Sequence, residues 1–346
     1  MMIEENFKAL EMRGDELVLL DQRLLPCKEK DFICRSVEDV FFAIKDMVVR
    51  GAPAIGGAAG YGVYFAAREA CGDRYKFNRL CDYLINARPT AVNLAWAVNR
   101  VRKTAEESGF NLDAIRKDAD DIVSEDIAMN RKIGEIGSSV IPPHATILTH
   151  CNTGALATCG WGTALGVIKT AFYEGKDIFV YADETRPRFQ GARLTAWELV
   201  RAEIPAALIP DSAAATLIRD GKIDLVILGA DRITANGDVA NKLGTFALSV
   251  ICKHYGVPFY SAAPTTTIDF STPSGDLIPI EERDRSEVTM VNGTKVAPDE
   301  IGVYNPSFDV TPHQNITGII TECGIIREPY DMNLEILRRT LGRQNA

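Results

Sequence analysis

Apolar residues in the second half of the chain recur in short runs broken by Gly, Asn, Asp and Pro. Thr146 to Thr149, Ile178 to Ala182, Ala206 to Ile209, Leu225 to Leu228 and Val257 to Ser261 read as buried strands. Between them, helical spacing starts from about Gly162, Thr195, Ala213 and Asn241. Regular strand–helix alternation predicts a parallel, doubly wound sheet. The first half reads differently. Leu17-Val-Leu-Leu-Asp-Gln-Arg-Leu-Leu25 and the segment after it predict short strands. Val37 to Val49, the Gly- and Ala-rich stretch Ala54 to Ala70, Thr90 to Thr104 and Asp113 to Ile136 then predict helices. Ile141-Pro-Pro-His144 cannot continue a helix. The expected fold class is therefore α/β. Residues 1–143 form a small sheet plus helical bundle, and residues 144–346 a Rossmann-like catalytic domain.

A length of 346 residues favours two domains, each able to bury a core. The 46% hydrophobic and 25% charged content is that of an ordinary soluble protein. With 38 basic against 47 acidic residues, a net charge of -9 and no basic tract, nucleic acid and anionic membrane surfaces are poor partners. A small phosphorylated ligand stays open, since a few local donors bind one phosphate whatever the global charge. Met1-Met-Ile-Glu-Glu5 does not read as a secretory signal, and no run reaches the ~18 to 20 apolar residues that span a bilayer. The eight scattered cysteines predict reduced thiols in the cytosol.

Each predicted strand ends in a polar or glycine-rich turn: His150 to Gly154, Asp183 to Pro187, Pro210 to Ser212, Gly229 to Arg232 and Ala262 to Thr265. Five such turns on one sheet edge point to a site. The first carries Cys151 and the fourth Asp231. A thiol at a strand end is as readily a small core residue as a functional one, and function requires its pKa to fall from ~8.5 through a cation or backbone N–H groups. His150 is expected on the opposite face of its strand from Cys151. Asp231 is read either as a partner of Arg232 or a helix cap, or as a carboxyl group desolvated in a closed crevice, able to donate a proton near neutral pH. Asn241 and Lys242 are expected near a helix N-terminus, where an anion is favoured. Arg50 precedes a Pro-initiated helix whose glycines either expose backbone to a phosphate or allow close helix packing.

No GxxxxGK[ST] loop occurs, and His144, His150, His254 and His313 show no metal-ligand spacing. Gly160-Trp-Gly-Thr-Ala-Leu-Gly166 misses the dinucleotide fingerprint: its last spacing is one too long, and it lies well beyond the strand end.

Taken together, Arg50-Gly-Ala-Pro-Ala-Ile-Gly56, Arg88-Pro-Thr-Ala-Val-Asn-Leu94, Thr149-His-Cys-Asn-Thr-Gly154, Glu184-Thr-Arg-Pro187 with Gln190-Gly-Ala-Arg-Leu-Thr195, Gly229-Ala-Asp-Arg232, and Asn236-Gly-Asp238 with Asn241-Lys-Leu-Gly-Thr245 resemble the methylthioribose-1-phosphate isomerase family. Its superfamily also holds ribose-1,5-bisphosphate isomerases and regulatory subunits of the translation-initiation guanine-nucleotide exchange factor. The resemblance extends to Asn305-Pro-Ser-Phe-Asp-Val-Thr-Pro312 and Ile319-Ile-Thr-Glu322. It implies Asp231 as proton donor and Cys151 as the second catalytic residue. It also implies Arg50, Gly51, Ala52, Arg88, Gln190, Asn241 and Lys242 as substrate-binding positions. Further implications are a cytoplasmic homodimer in methionine salvage, acting on a sugar phosphate without metal or organic cofactor. Phosphate on the anomeric oxygen blocks spontaneous ring opening, so an acid must protonate the ring oxygen before hydrogen moves from C2 to C1. The rival readings are isomerisation of ribose 1,5-bisphosphate or 5-deoxyribose 1-phosphate, and a non-enzymatic regulatory subunit.

Overall fold

The computed structural model describes residues 6–88 and 91–344. The acidic opening segment 1–5 and the Pro89–Thr90 step of the Arg88 motif lie outside the described residues. The chain forms two compact units. One holds the chain through Arg131 together with Thr153–Gly162, and the other holds Lys132–Asn152 and everything from Thr163.

In the first unit, β1 (Leu10–Arg13), β2 (Glu16–Leu20) and β3 (Asp31–Cys34) form an antiparallel sheet in that order. Helices α1 (Val37–Lys45), α2 (Ala52–Ala70), α3 (Arg74–Ile85), α4 (Val92–Glu107) and α5 (Leu112–Ser138) follow, the unit boundary falling inside α5. Ser36 and Asp39 start α1 with a capping box, each side chain bonded to the other's backbone N–H. Helix α3 was not expected. Its buried positions are Phe77, Cys81 and Leu84, a stripe too sparse to stand out in a polar sequence, and Asp73 caps its first turn. Helix α2 is buried almost all round, and its glycines serve packing. A Cβ on Gly57 would lie 2.6 Å from Cys159 Sγ, and one on Gly62 2.6 Å from a Leu84 methyl.

The second unit is built on a sheet whose parallel strands are β4 (Thr146–Thr149), β5 (Phe179–Asp183), β6 (Ala206–Ile209), β7 (Leu225–Leu228), β10 (Phe259–Ala262) and β15 (Gly318–Thr321). An antiparallel strand, β16 (Gly324–Ile326), closes one edge, and the spatial order is β16-β15-β10-β7-β4-β5-β6. Successive strand residues feed two cores. Ile147, Val180, Ile227 and Ala262 join one, with α6 (Ala164–Tyr173) and α7 (Ala196–Arg201). Leu148, Val226, Leu228 and Phe259 join the other, with α8 (Ala214–Arg219), α9 (Thr245–Tyr255) and α11 (Tyr330–Gln344). A sheet buried on both faces is what continuous apolar strands produce, each fully buried aliphatic side chain contributing about 1.5–3 kcal/mol.

A second sheet was not read from the sequence. It consists of β11 (Ile268–Asp269), β8 (Arg232–Thr234), β9 (Val239–Lys242) and β14 (Phe308–Thr311), in that order. Asn241 and Lys242 therefore lie on a strand, paired with Asp309 and Phe308 of β14, and the helix expected from about Asn241 starts at Thr245. Helix α10 (Ser286–Thr289) and the hairpin β12 (Met290–Val291)–β13 (Thr294–Lys295) complete the chain between them.

Candidate active site

From β4 the chain moves to β5 and β6 on one side, then returns to β7 on the other, so the β4/β7 gap is the topological switch point of the sheet. Ligand crevices of such sheets open there, beyond the carboxyl ends of the strands. In register, Leu148 of β4 faces Val226 of β7. Cys151 and Asp231 lie in the turns just beyond, on the two sides of that gap. Backbone pairing adds a third segment: Asp231 N–H donates to Ala240 O at 2.9 Å, next to Asn241 and Lys242.

His150 braces the same corner. It is buried, with Nδ1 2.8 Å from Asp183 Oδ2 and Nε2 2.9 Å from Leu243 O. Leu243 O accepts from the Nε2 side of the ring, and Nδ1 shares one hydrogen bond with the Asp183 carboxyl. Burial pushes its pKa down, the Asp183 carboxylate more than offsets this, and the net shift is upward. The ring thus ties Asp183 to the Lys242–Gly244 turn.

Cys151 is buried and adopts a left-handed backbone, φ 63°. Its N–H donates to Thr185 Oγ1 at 2.9 Å, and its carbonyl accepts from Thr195 Oγ1 at 2.6 Å. Thr195 closes a π-helical turn, Gly191–Thr195, that directly follows Gln190. Gln190 is buried, and its Oε1 has no hydrogen-bond partner among the described residues. The turn needs Gly191, because a Cβ there would lie 1.6 Å from Asp183 O.

Two expectations are corrected. Asp231 is exposed rather than enclosed, and the Arg232 guanidinium lies 3.6 Å from Asp269. The α9 N-terminus already has its anion: Asp309 accepts from Gly244 N–H at 2.7 Å and Phe246 N–H at 3.0 Å. Asn241 instead donates to Thr245 Oγ1 at 2.9 Å, and Lys242 Nζ to Ser307 O at 2.8 Å.

Arg50, Gly51, Ala52 and Arg88 belong to the first unit. Arg50 and Gly51 lead into α2, where Gly51 has φ 96° and a Cβ on it would lie 2.2 Å from Ala157 O. Arg88 lies, partly buried, between α3 and α4. A cavity of about 490 Å³ in that unit, lined by β1, α2, α5 and the 155–161 segment, contains none of these four.

His150, Asp183 and Asp211 bring ligand atoms within 4.8 Å of one another. Their donor set does not suit a cation. Both ring nitrogens of His150 are engaged by Asp183 and Leu243 O, and Asp211 accepts from Thr185 N–H at 2.7 Å and Arg186 N–H at 2.8 Å. The roles of His150, Thr185 and Thr195 were missed in the sequence, although all three stand inside the motifs quoted above.

A family model described as the Initiation factor 2 subunit family matches residues 48–328. A methylthioribose-1-phosphate isomerase of Thermoanaerobacter sp. (strain X514) is 58% identical over 340 residues, covering 95% of this chain and 99% of that protein. Among solved structures, 5-methylthioribose 1-phosphate isomerase from Pyrococcus horikoshii OT3 aligns with a TM-score of 0.92 at 43% identity, over 97% of each chain. Translation initiation factor eIF-2B subunit delta from A. fulgidus aligns with a TM-score of 0.87 at 40% identity, over 95% of this chain and 100% of that one.

Proposed function

The chain belongs to the initiation factor 2 subunit family and, within it, to the methylthioribose-1-phosphate isomerases, and from that premise we propose that Asp231 and Cys151 carry its reaction. It is an aldose–ketose isomerase of methionine salvage, converting 5-methylthioribose 1-phosphate to 5-methylthioribulose 1-phosphate. In our reading Asp231 gives its proton to the ring oxygen and the ring C1–O bond breaks. Hydrogen then moves from C2 to C1, and the C2 hydroxyl proton returns to the carboxylate as the ketone forms. Cys151 either removes the C2 proton, through an enolate-like intermediate, or assists a direct hydride shift.

The observation that carries this reading is the position of both residues on the two sides of the switch point, in turns beyond adjacent parallel strands. Asp231 is exposed, which leaves its carboxyl open to the ring oxygen of a bound sugar. Gln190 contributes a buried acceptor that a substrate hydroxyl satisfies, an unmade bond of this kind costing about 1–3 kcal/mol. Arg50, Arg88 and Lys242, with Gly51, Ala52 and Asn241, bind the phosphate and sugar through charge-assisted and backbone hydrogen bonds. We further infer that residues 144–346 form the catalytic domain and that the working form is a cytoplasmic homodimer.

The test offers the purified protein 5-methylthioribose 1-phosphate, ribose 1,5-bisphosphate and 5-deoxyribose 1-phosphate, with direct detection of ketose. Turnover of the first is expected. Turnover of the bisphosphate alone contradicts the assignment, and no turnover of any returns the regulatory-subunit reading. With deuterium at C2, loss to solvent identifies proton abstraction and retention in the product identifies the hydride shift.

A further inference from the structure

Two adjacent strands, β4 and β5, each end in a non-glycine residue with a left-handed backbone: Cys151 and Thr185, both at φ 63°. For a β-branched threonine this is an outlier, costing of order 1–3 kcal/mol, and it persists only where its surroundings over-determine it. They do so here. Cys151 N–H donates to Thr185 Oγ1 at 2.9 Å, and that hydroxyl donates to Asp183 O at 3.1 Å. Beyond β6, Asp211 accepts from the N–H groups of Thr185 at 2.7 Å and Arg186 at 2.8 Å. Three neighbouring strand ends are thus chained together, with the thiol residue last in the chain.

The other end of the cysteine residue is held as closely. Thr195 Oγ1 donates to Cys151 O at 2.6 Å and accepts from Asn152 Nδ2 at 3.2 Å. Asn152 also donates to Glu198 Oε1 at 2.8 Å, and the buried Lys169 ammonium lies 3.8 Å from Glu198 Oε2. The hydroxyl that reaches Cys151 is set by a π-helical turn, Gly191–Thr195, a deviation that concentrates at functional sites.

We propose that Thr185 and Thr195 are positioning residues of the isomerase, whose hydroxyls grip the Cys151 N–H and carbonyl and thereby aim its thiol. This rests on the reading of Cys151 as a reacting group. Neither threonine touches substrate in this scheme; each acts through the cysteine backbone, where small displacements cost rate steeply.

The full chain is made with Thr195→Val, Thr195→Ser, Thr185→Val, Thr185→Ser and, as reference, Cys151→Ser. Valine keeps threonine's shape without its hydroxyl, and serine keeps the hydroxyl without the methyl. Measured quantities are kcat and KM for 5-methylthioribose 1-phosphate, and the pH dependence of iodoacetamide alkylation at Cys151, located by mass spectrometry. The valine variants are expected to lose about 10- to 100-fold in kcat with KM within about threefold, and to alkylate with an altered pH profile. The serine variants are expected to keep kcat within about threefold of wild type. Wild-type kcat in both valine variants, or serine variants as slow as the valine ones, overturns the clamp while leaving an inactive Cys151→Ser to support the thiol. If a valine variant does not fold, the serine variant decides alone, and a kcat below about a tenth of wild type overturns the proposal. A fully active Cys151→Ser overturns the thiol reading and the clamp with it.

Discussion

Asp126, buried within α5, accepts from the Cys159 N–H at 2.7 Å, and burial pushes its pKa up from 3.8 to about 6. A carboxyl whose pKa is raised by folding stabilises the fold when protonated, and that contribution disappears as pH rises through the folded value. Between about pH 4 and pH 6 the protein should therefore lose up to about 3 kcal/mol from this group alone. Asp126→Asn is expected to flatten urea-unfolding stability across that window and to exceed wild type above it. Equal steepness in the two proteins would assign the pH dependence elsewhere. The same scale shows what was legible. Cys151 and Asp231 were singled out because strand ends in a parallel sheet face one edge, whatever the side chains do. The bonds of His150 to Asp183 and Leu243 join positions far apart in sequence, which no local pattern reports.

At the level of elements, β4, β5, β6, β7 and β10 were legible as short apolar runs, whereas β15 was not read as a strand. The sheet of β8, β9, β11 and β14 was not, because strands as short and polar as Arg232–Thr234 carry no periodic signal. Asn241 and Lys242 were drawn into the following helix by the apolar run after Gly244, when pairing with β14 holds them extended. The π-helical turn was not read at all, the helix being expected only from about Thr195, where the turn ends. It depends on Gly191, whose missing Cβ makes room for Asp183 O. Gly191→Ala is expected to lower the unfolding free energy by about 1–3 kcal/mol through overpacking, and to lower kcat by displacing Gln190 and Thr195. Gly175→Ala, at φ 91° with nothing within 4 Å of its Cβ, is expected to cost about 1 kcal/mol and leave kcat unchanged. Urea titrations and steady-state rates check both, and an unimpaired Gly191→Ala would remove the turn from the account.

Across the whole molecule, strand–helix alternation made the parallel sheet of the second half legible in the sequence. The return of Thr153–Gly162 to the first unit was hidden, because it depends on distant bonds such as Gln22 Nε2 to Leu156 O at 2.7 Å and Ala54 N–H to Ala157 O at 3.3 Å. A switch point, too, is a property of strand order, which sequence alone does not determine. Once that order is known, a thiol and a carboxyl stand on the two sides of the β4/β7 gap, and in the proposed reaction the demanding step is proton transfer to the ring oxygen of a sugar whose anomeric oxygen carries phosphate. The most direct measurement is the steady-state turnover of 5-methylthioribose 1-phosphate by Asp231→Asn, alongside its substrate affinity. A fall in kcat of about 10²- to 10⁴-fold with affinity retained is the predicted result, and turnover at the wild-type rate would contradict the account.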